Sequence, residues 1–206
     1  MTVRPIVIHG EPVLHRRAAE VDETTPGIAE LLADMEETLE ASHGVGLAAP
    51  QIGVGLRIFL WKYSGDTGEA PAHGAIINPS LRLIGRVSQE APDAEAESEG
   101  CLSVPGYSFP LKRSDHVEVT GFDPEGSALR FEVSGWFARI MQHEYDHLDG
   151  YLYVNRLNTR YTKRWRKVLK REGWTVPGNS WLPGVDPDPF GHDEDAEEPR
   201  CDEDDR

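Results

Sequence analysis

Only two of the 206 residues are cysteine, Cys101 in mid-chain and Cys201 in a run of acids. That excludes a disulfide framework as the source of stability and points to a reducing compartment. Long apolar runs are also missing. Stretches such as Ile58-Phe59-Leu60-Trp61 fall far short of the roughly 20 residues a membrane span needs. No positively charged segment leads into an apolar one at the start of the chain, so no export signal is read and a soluble, cytoplasmic protein without membrane contact is expected. Basic residues are scarce beside acids: 21 Lys and Arg against 36 Asp and Glu leave a net charge of −15. Such a balance argues against a general nucleic-acid surface, DNA in particular. The imbalance is local, because Asp186 to Arg206 holds eleven acids and two arginines. With almost nothing apolar to offset its ordering entropy, this tail is expected to be disordered. The remaining chain, with 38% apolar residues overall, suffices for one domain with a core.

Periodicity is plentiful. Residues 1–23 read as an extended arm. Thr25-Pro26-Gly27 reads as a helix start, with Thr25 as N-cap and Pro26 in the first helical position. Ile28, Leu31, Leu32, Met35 and Leu39 then recur at helical spacing, which predicts an amphipathic helix over 26–42 with Glu30, Asp34, Glu36, Glu37 and Glu40 outward. Strand-like patterns follow at 56–61, 75–77, 81–84, 116–122 and 128–133. Polar loops are read at 64–74 and 87–99, the second acidic. Asp123-Pro124-Glu125-Gly126 supplies turn chemistry that makes the last two strands an antiparallel hairpin. A further short strand is read at 151–154. Leu157, Tyr161, Trp165 and Val168 mark one side of a helix over 156–172 that carries eight basic residues and one acid.

Between these lies Gln142-His143-Glu144-Tyr145-Asp146-His147, on a helix capped by Ser134 and ending near Gly150. Two histidines at i and i+4 have Cβ atoms about 5–6 Å apart and can reach one metal ion. Glu144 projects beside them as a proton acceptor for an activated water, which is the arrangement of a metal-assisted hydrolase. Trp136, Ile140, His143 and His147 share one side of the helix, so the histidines continue an apolar face, where buried imidazoles need a partner such as a metal. A catalytic centre of this kind typically has three protein ligands. The extended zinc-peptidase pattern HExxHxxGxxH is absent, since Val154 stands at the place of its third histidine. The soft candidate in the body of the chain is Cys101, in Glu99-Gly100-Cys101-Leu102-Ser103, although a lone cysteine is more often a small buried hydrophobe than a ligand. Gly44-Val45-Gly46-Leu47-Ala48-Ala49-Pro50-Gln51-Ile52-Gly53 forbids a long helix and lets backbone approach a ligand, but by itself equally fits a tight turn around a buried Gln51.

Together and in this order, GVGLAAPQIG at 44–53, EGCLSVPG at 99–106 and QHEYDHLDG at 142–150 resemble the peptide deformylases, with smaller matches at Asn78-Pro79 and Arg113, over residues 3 to about 157. The resemblance implies an α+β fold, antiparallel strands packed around a central HExxH helix, with an N-terminal amphipathic helix and a basic C-terminal helix. Residues 1–173 would form the catalytic domain and 174–206 a linker and disordered acidic tail. Cys101, His143 and His147 would be the metal ligands and Glu144 the general base and acid. Gln51 and the backbone N–H of Leu102 would face the carbonyl oxygen, while Val45, Gly46 and Glu99 would meet the substrate. The implied cofactor is one divalent ion, Fe2+ in cells, replaceable by Ni2+, Co2+ or Zn2+. The implied reaction removes the formyl group from the N-terminal formyl-methionine of new polypeptides, with contact to the ribosome through the basic helix 156–172. Ser108 departs from an arginine common near the peptide cleft of bacterial members, and Asn155 from a common aspartate. A general zinc peptidase is disfavoured by Val154 and the EGCLS stretch. A non-catalytic metal-binding or ribosome-associated module has no use for both Gln51 and Glu144.

Overall fold

The apolar run at 58–61 becomes the middle of a sheet covered on both faces. In the computed structural model, which describes residues 2–63, 65, 72–85, 87–88 and 90–191, the elements run β1 (Ile6–Val7), α1 (Ile28–Ala41), β2 (Gly46–Ala48), β3 (Ile58–Tyr63), β4 (Ala72–Leu83), β5 (Ser98–Gly100), β6 (Ser108–Pro110), β7 (His116–Phe122), β8 (Ala128–Ser134), α2 (Gly135–Leu148), α3 (Thr159–Glu172) and β9 (Ser180–Trp181). Five strands form an antiparallel sheet in the order β2-β3-β4-β7-β8, and β1 with β9 and β5 with β6 form two small pairs. Side chains alternate between sheet faces. Accordingly Phe59, Trp61 and Ile76 pack with Ala138, Ile140 and Met141 of α2. Ile58, Leu60 and Ala75 pack instead with Leu32, Met35 and Leu39 of α1. A strand buried on both sides shows no polar alternation, which is why this run is uniformly apolar. On β7 the alternation is visible: Val117 and Val119 face α2, while Glu118 pairs with Arg82 and Arg130 on the other face. Among the described residues no helix is long and apolar enough to cross a membrane.

Several local readings are corrected. Helix α1 starts at Ile28, after Gly27 in the left-handed region (φ 73), and Thr25 makes no cap. The Thr25 hydroxyl donates instead to Asp22 in a preceding turn. Asp34, read as outward, is buried because Arg4 and the Thr2 N–H reach it at 2.7–2.8 Å. The two readings at 75–77 and 81–84 are one strand, β4, irregular between Ile77 and Ser80 where Asn78 takes φ 50. The loop read at 87–99 closes into β5 at Ser98. Residues 153–155 form a 3-10 turn rather than part of a strand, stabilised by the Leu152 N–H donating to Asn155 Oδ1 at 2.8 Å. Helix α3 begins at Thr159 because the Asn158 carboxamide oxygen accepts from the backbone of Arg160 and Tyr161.

The largest departure is at the C-terminal side. Residues 174–185, read as a linker, and the first residues of the acidic tail pack against the body as far as Gly191. Strand β9 pairs with β1, placing Trp181 opposite Ile6, and Trp174 and Trp181 are buried. Mean composition hides these anchors, since each indole buries a large apolar area in an otherwise polar stretch. Residues 192–206 lie outside the described residues.

Candidate metal and catalytic site

Helix α2 divides its faces between core and cleft. Ala138, Met141 and Leu148 join the sheet-side cluster, Trp136, His143 and Glu144 border a cavity of about 240 Å³, and Ile140 touches both. The stripe read from the sequence as an apolar face is thus mainly a cleft wall, and Trp136 is 41% exposed. The helix ends at Leu148 with Asp149 as its C-cap, and Gly150 (φ 80) lets the backbone of Arg16 pass 2.8 Å from where a Cβ would stand.

Packing brings Cys101, at the end of β5, onto this helix. Its Sγ lies 3.3 Å from His147 Nε2, which in turn lies 3.3 Å from His143 Nε2. Three donor atoms, all within 4.8 Å of one another and all on buried residues, can hold one ion. The fit is quantitative: nitrogens about 2.0–2.1 Å from a tetrahedral ion are themselves about 3.3–3.4 Å apart. His143 Nδ1 donates to Glu99 Oε1 at 2.7 Å, which fixes the tautomer and turns Nε2 to the centre. His147 is fully buried, and burial lowers its pKa well below the usual value.

Glu99 is the hub of a buried charge network. Arg113 donates to both its oxygens at 2.7 and 3.1 Å, and Arg139 donates at 3.0 Å. Burial alone would raise the Glu99 carboxyl, but the Arg113 charge and the His143 hydrogen bond outweigh it and hold the group well below the usual carboxylate range. Arg113 also donates to Asp146 at 2.6 Å, and Asp146 accepts from Arg156 at 2.8 Å. The Glu99 carboxylate, expected among the substrate contacts, lines the cavity and at the same time orients a histidine. Sequence reading assigned no role to Arg113, Arg139 or Asp146; the available signals were the family match at Arg113, the place of Arg139 four residues before His143 and that of Asp146 inside the histidine motif.

The remaining residues singled out converge here. The Gln51 carboxamide accepts from Ala48 N–H at 2.8 Å, so its Nε2 faces the centre, 3.7 Å from Cys101 Sγ and 3.5 Å from Ser103 Oγ. Val45, Gly46 and Leu102 border the cavity with Gln51 and Glu144. Glu144 is 3% exposed, and among the described residues its Oε2 has no hydrogen-bond partner. Burial pushes its pKa up to about 7, so the carboxyl can both take and give a proton near neutrality. A Cβ on Gly46 would stand 2.3 Å from Glu144 Oε1, so the absent side chain is what seats the carboxyl.

Comparison with known proteins agrees. Residues 3–163 match the family model described as polypeptide deformylase. The chain is 50% identical over 199 residues to a peptide deformylase of Mycobacterium marinum, covering 93% of this chain and 100% of that protein. It is 49% identical over 193 residues to peptide deformylase 2 of Corynebacterium efficiens, covering 94% of this chain and 100% of that one. It superimposes on the crystal structure of a peptide deformylase from Ehrlichia chaffeensis in complex with actinonin with a TM-score of 0.69 at 34% identity, covering 84% of this chain and 99% of that chain. With the match running through all three motif-bearing stretches and half of the residues shared with a relative across nearly the whole length, the chain belongs to the polypeptide deformylase family.

Proposed function

We propose that this chain removes the formyl group from the N-terminal formyl-methionine of newly made polypeptides, releasing formate and a free amine. The observation that carries the reading is the convergence of Cys101, His143 and His147 beside a buried Glu144 in one cavity. Cys101, His143 and His147 would hold a divalent ion, which when bound supplies a Lewis acid that activates water and polarises the formyl carbonyl. A donor set of one thiolate and two imidazoles suits iron, nickel, cobalt or zinc, with Fe2+ proposed in cells. Glu144 takes a proton from the attacking water and returns it to the leaving nitrogen, a role matched by its raised pKa. Gln51 Nε2, oriented by Ala48, and the Leu102 N–H stabilise the charge that develops on the formyl oxygen. Loss of one such donor typically costs about 10²–10³ in rate. Selectivity for formyl over acetyl needs only steric exclusion of a methyl group near the metal, and the Val45–Gly46 edge that borders the cavity is assigned that part. Formate release from formyl-Met peptides against acetyl-Met peptides tests the reading: turnover of the first with the second nearly untouched is expected, and comparable rates would overturn it.

For the partner, the α3 surface supports contact with the ribosome. Tyr161, Trp165 and Val168 are buried, leaving Arg160, Lys163, Arg164 and Lys167 outward. Arg156, one of the eight basic residues of 156–172, lies before α3 and pairs with Asp146. Removing the acidic residues 192–206 should tighten ribosome binding at low salt by relieving competition for this face, with the gain shrinking as salt rises. Equal affinities at every salt concentration would remove the proposal.

A further inference from the structure

The C-terminal segment beyond α3 does more than pack. Phe190 borders the same cavity as Cys101, Leu102 and Glu144, although it stands about ninety residues from the first of them in the chain. Its position is built. The Phe190 N–H donates to Asp188 Oδ1 at 2.8 Å, and its ring lies 6.2 Å from that of Trp181. Trp181 is buried, pairs with β1 through its backbone and donates from its indole to the Leu102 carbonyl at 3.0 Å. A turn in which Leu182 N–H donates to Asp186 Oδ2 at 2.7 Å redirects the chain toward the cleft. Pro189 O then comes within 3.4 Å of where a Cβ on Gly106 (φ 75) would stand, so the segment lies close over the end of the EGCLSVPG stretch.

We propose that Phe190 is a specificity-determining residue, an apolar wall for the substrate side chains that follow the methionine. The proposal rests on the deformylase reading for the direction in which the substrate lies. Cys101 and Glu144 are buried, whereas Phe190, on the wall of the same cavity, is half-buried. A peptide whose formyl end reaches the donor atoms has this ring on the cavity wall for its later residues to lie against. An aromatic face there removes apolar side chains from water and offers glycine nothing. Contact of this kind binds ground state and transition state alike, so it acts on KM and leaves kcat alone.

The test compares formyl-Met-Leu-Leu with formyl-Met-Gly-Gly in the metal-loaded parent, Phe190→Ala and Phe190→Leu. Expected is a rise in KM of about 5- to 10-fold for the leucine peptide in Phe190→Ala at unchanged kcat, no change beyond about twofold for the glycine peptide, and recovery of most of the difference in Phe190→Leu. A fall in kcat shared by both peptides would make Phe190 a structural prop and overturn the proposal, as would no change in either. Calorimetric binding of the unformylated products Met-Leu-Leu and Met-Gly-Gly reads the wall without turnover. A Phe190-dependent leucine preference in a parent that releases no formate would overturn the deformylase reading and support the wall; loss of that preference in an active parent would overturn the wall alone.

Discussion

Substituting Gly46 by alanine isolates the seat of the proposed proton carrier with a single methyl group. Gly46 is a buried residue of β2, paired with Trp61 of β3, and it needs no positive φ, so alanine can adopt its backbone. The new Cβ would stand 2.3 Å from Glu144 Oε1, 2.7 Å from Cδ and 2.9 Å from Cγ. The closest approach is about 1 Å short of ordinary contact. Strand β2 is held by β3 on one side and packed against α2, so the carboxyl must yield. A displacement of about 1 Å at a reacting group costs on the order of 10²-fold in rate. Overpacking adds about 1–3 kcal/mol of destabilisation. The expected result is kcat for formyl-Met peptides down by about 10²-fold, bound metal unchanged and a folded protein with a lowered Tm. Metal content, thermal unfolding and formate release read the three effects separately. A Gly46→Ala enzyme within about threefold of the parent in kcat would refute the claim that this glycine seats Glu144.

Other outcomes follow from the same geometry. Glu144→Gln should keep its metal and turn over at least about 10³-fold more slowly, because the proton transfers lose their carrier; rates near the parent would end that assignment. The iron-loaded protein should lose activity in air much faster than the nickel-loaded one, since a thiolate ligand on ferrous iron is open to oxidation; equal decay would speak against Cys101 as a ligand. His9 packs edge-on to Trp165 and hydrogen-bonds the Trp174 carbonyl through Nδ1. Burial, with His15 adding to it, lowers its pKa from 6.5 to about 4. The folded value lies below the unfolded one, so the stability due to neutral His9 is present above about pH 6.5 and lost as pH falls toward 4. Tm measured across that window should fall in the parent and fall less in His9→Gln, and parallel curves would disprove the linkage.

Much of the site's chemistry is local and was therefore visible in the chain itself. The spacing of His143 and His147 needs only a helix to put two imidazoles on one side, and helical periodicity around them is a property of neighbouring residues. The hairpin of β7 and β8 was legible for the same reason: its turn has Gly126 N–H donating to the Asp123 carbonyl at 3.0 Å, between strands of alternating character. The resemblance of three motifs added which residues belong together but not how they are held. Tertiary packing decided that Cys101, 46 residues from His147, closes the triangle of donors, and that Glu99 turns its carboxylate to His143 and two arginines. It also decided that Asp34 is buried, and that Trp181 and Phe190 fold a stretch of unpromising composition over the cleft. Backbone torsions and side-chain periodicity act between residues a few positions apart, so sequence alone conveys them. Desolvation, charge pairing and the burial of an indole depend on which distant surfaces meet, and only the folded chain brings those surfaces together.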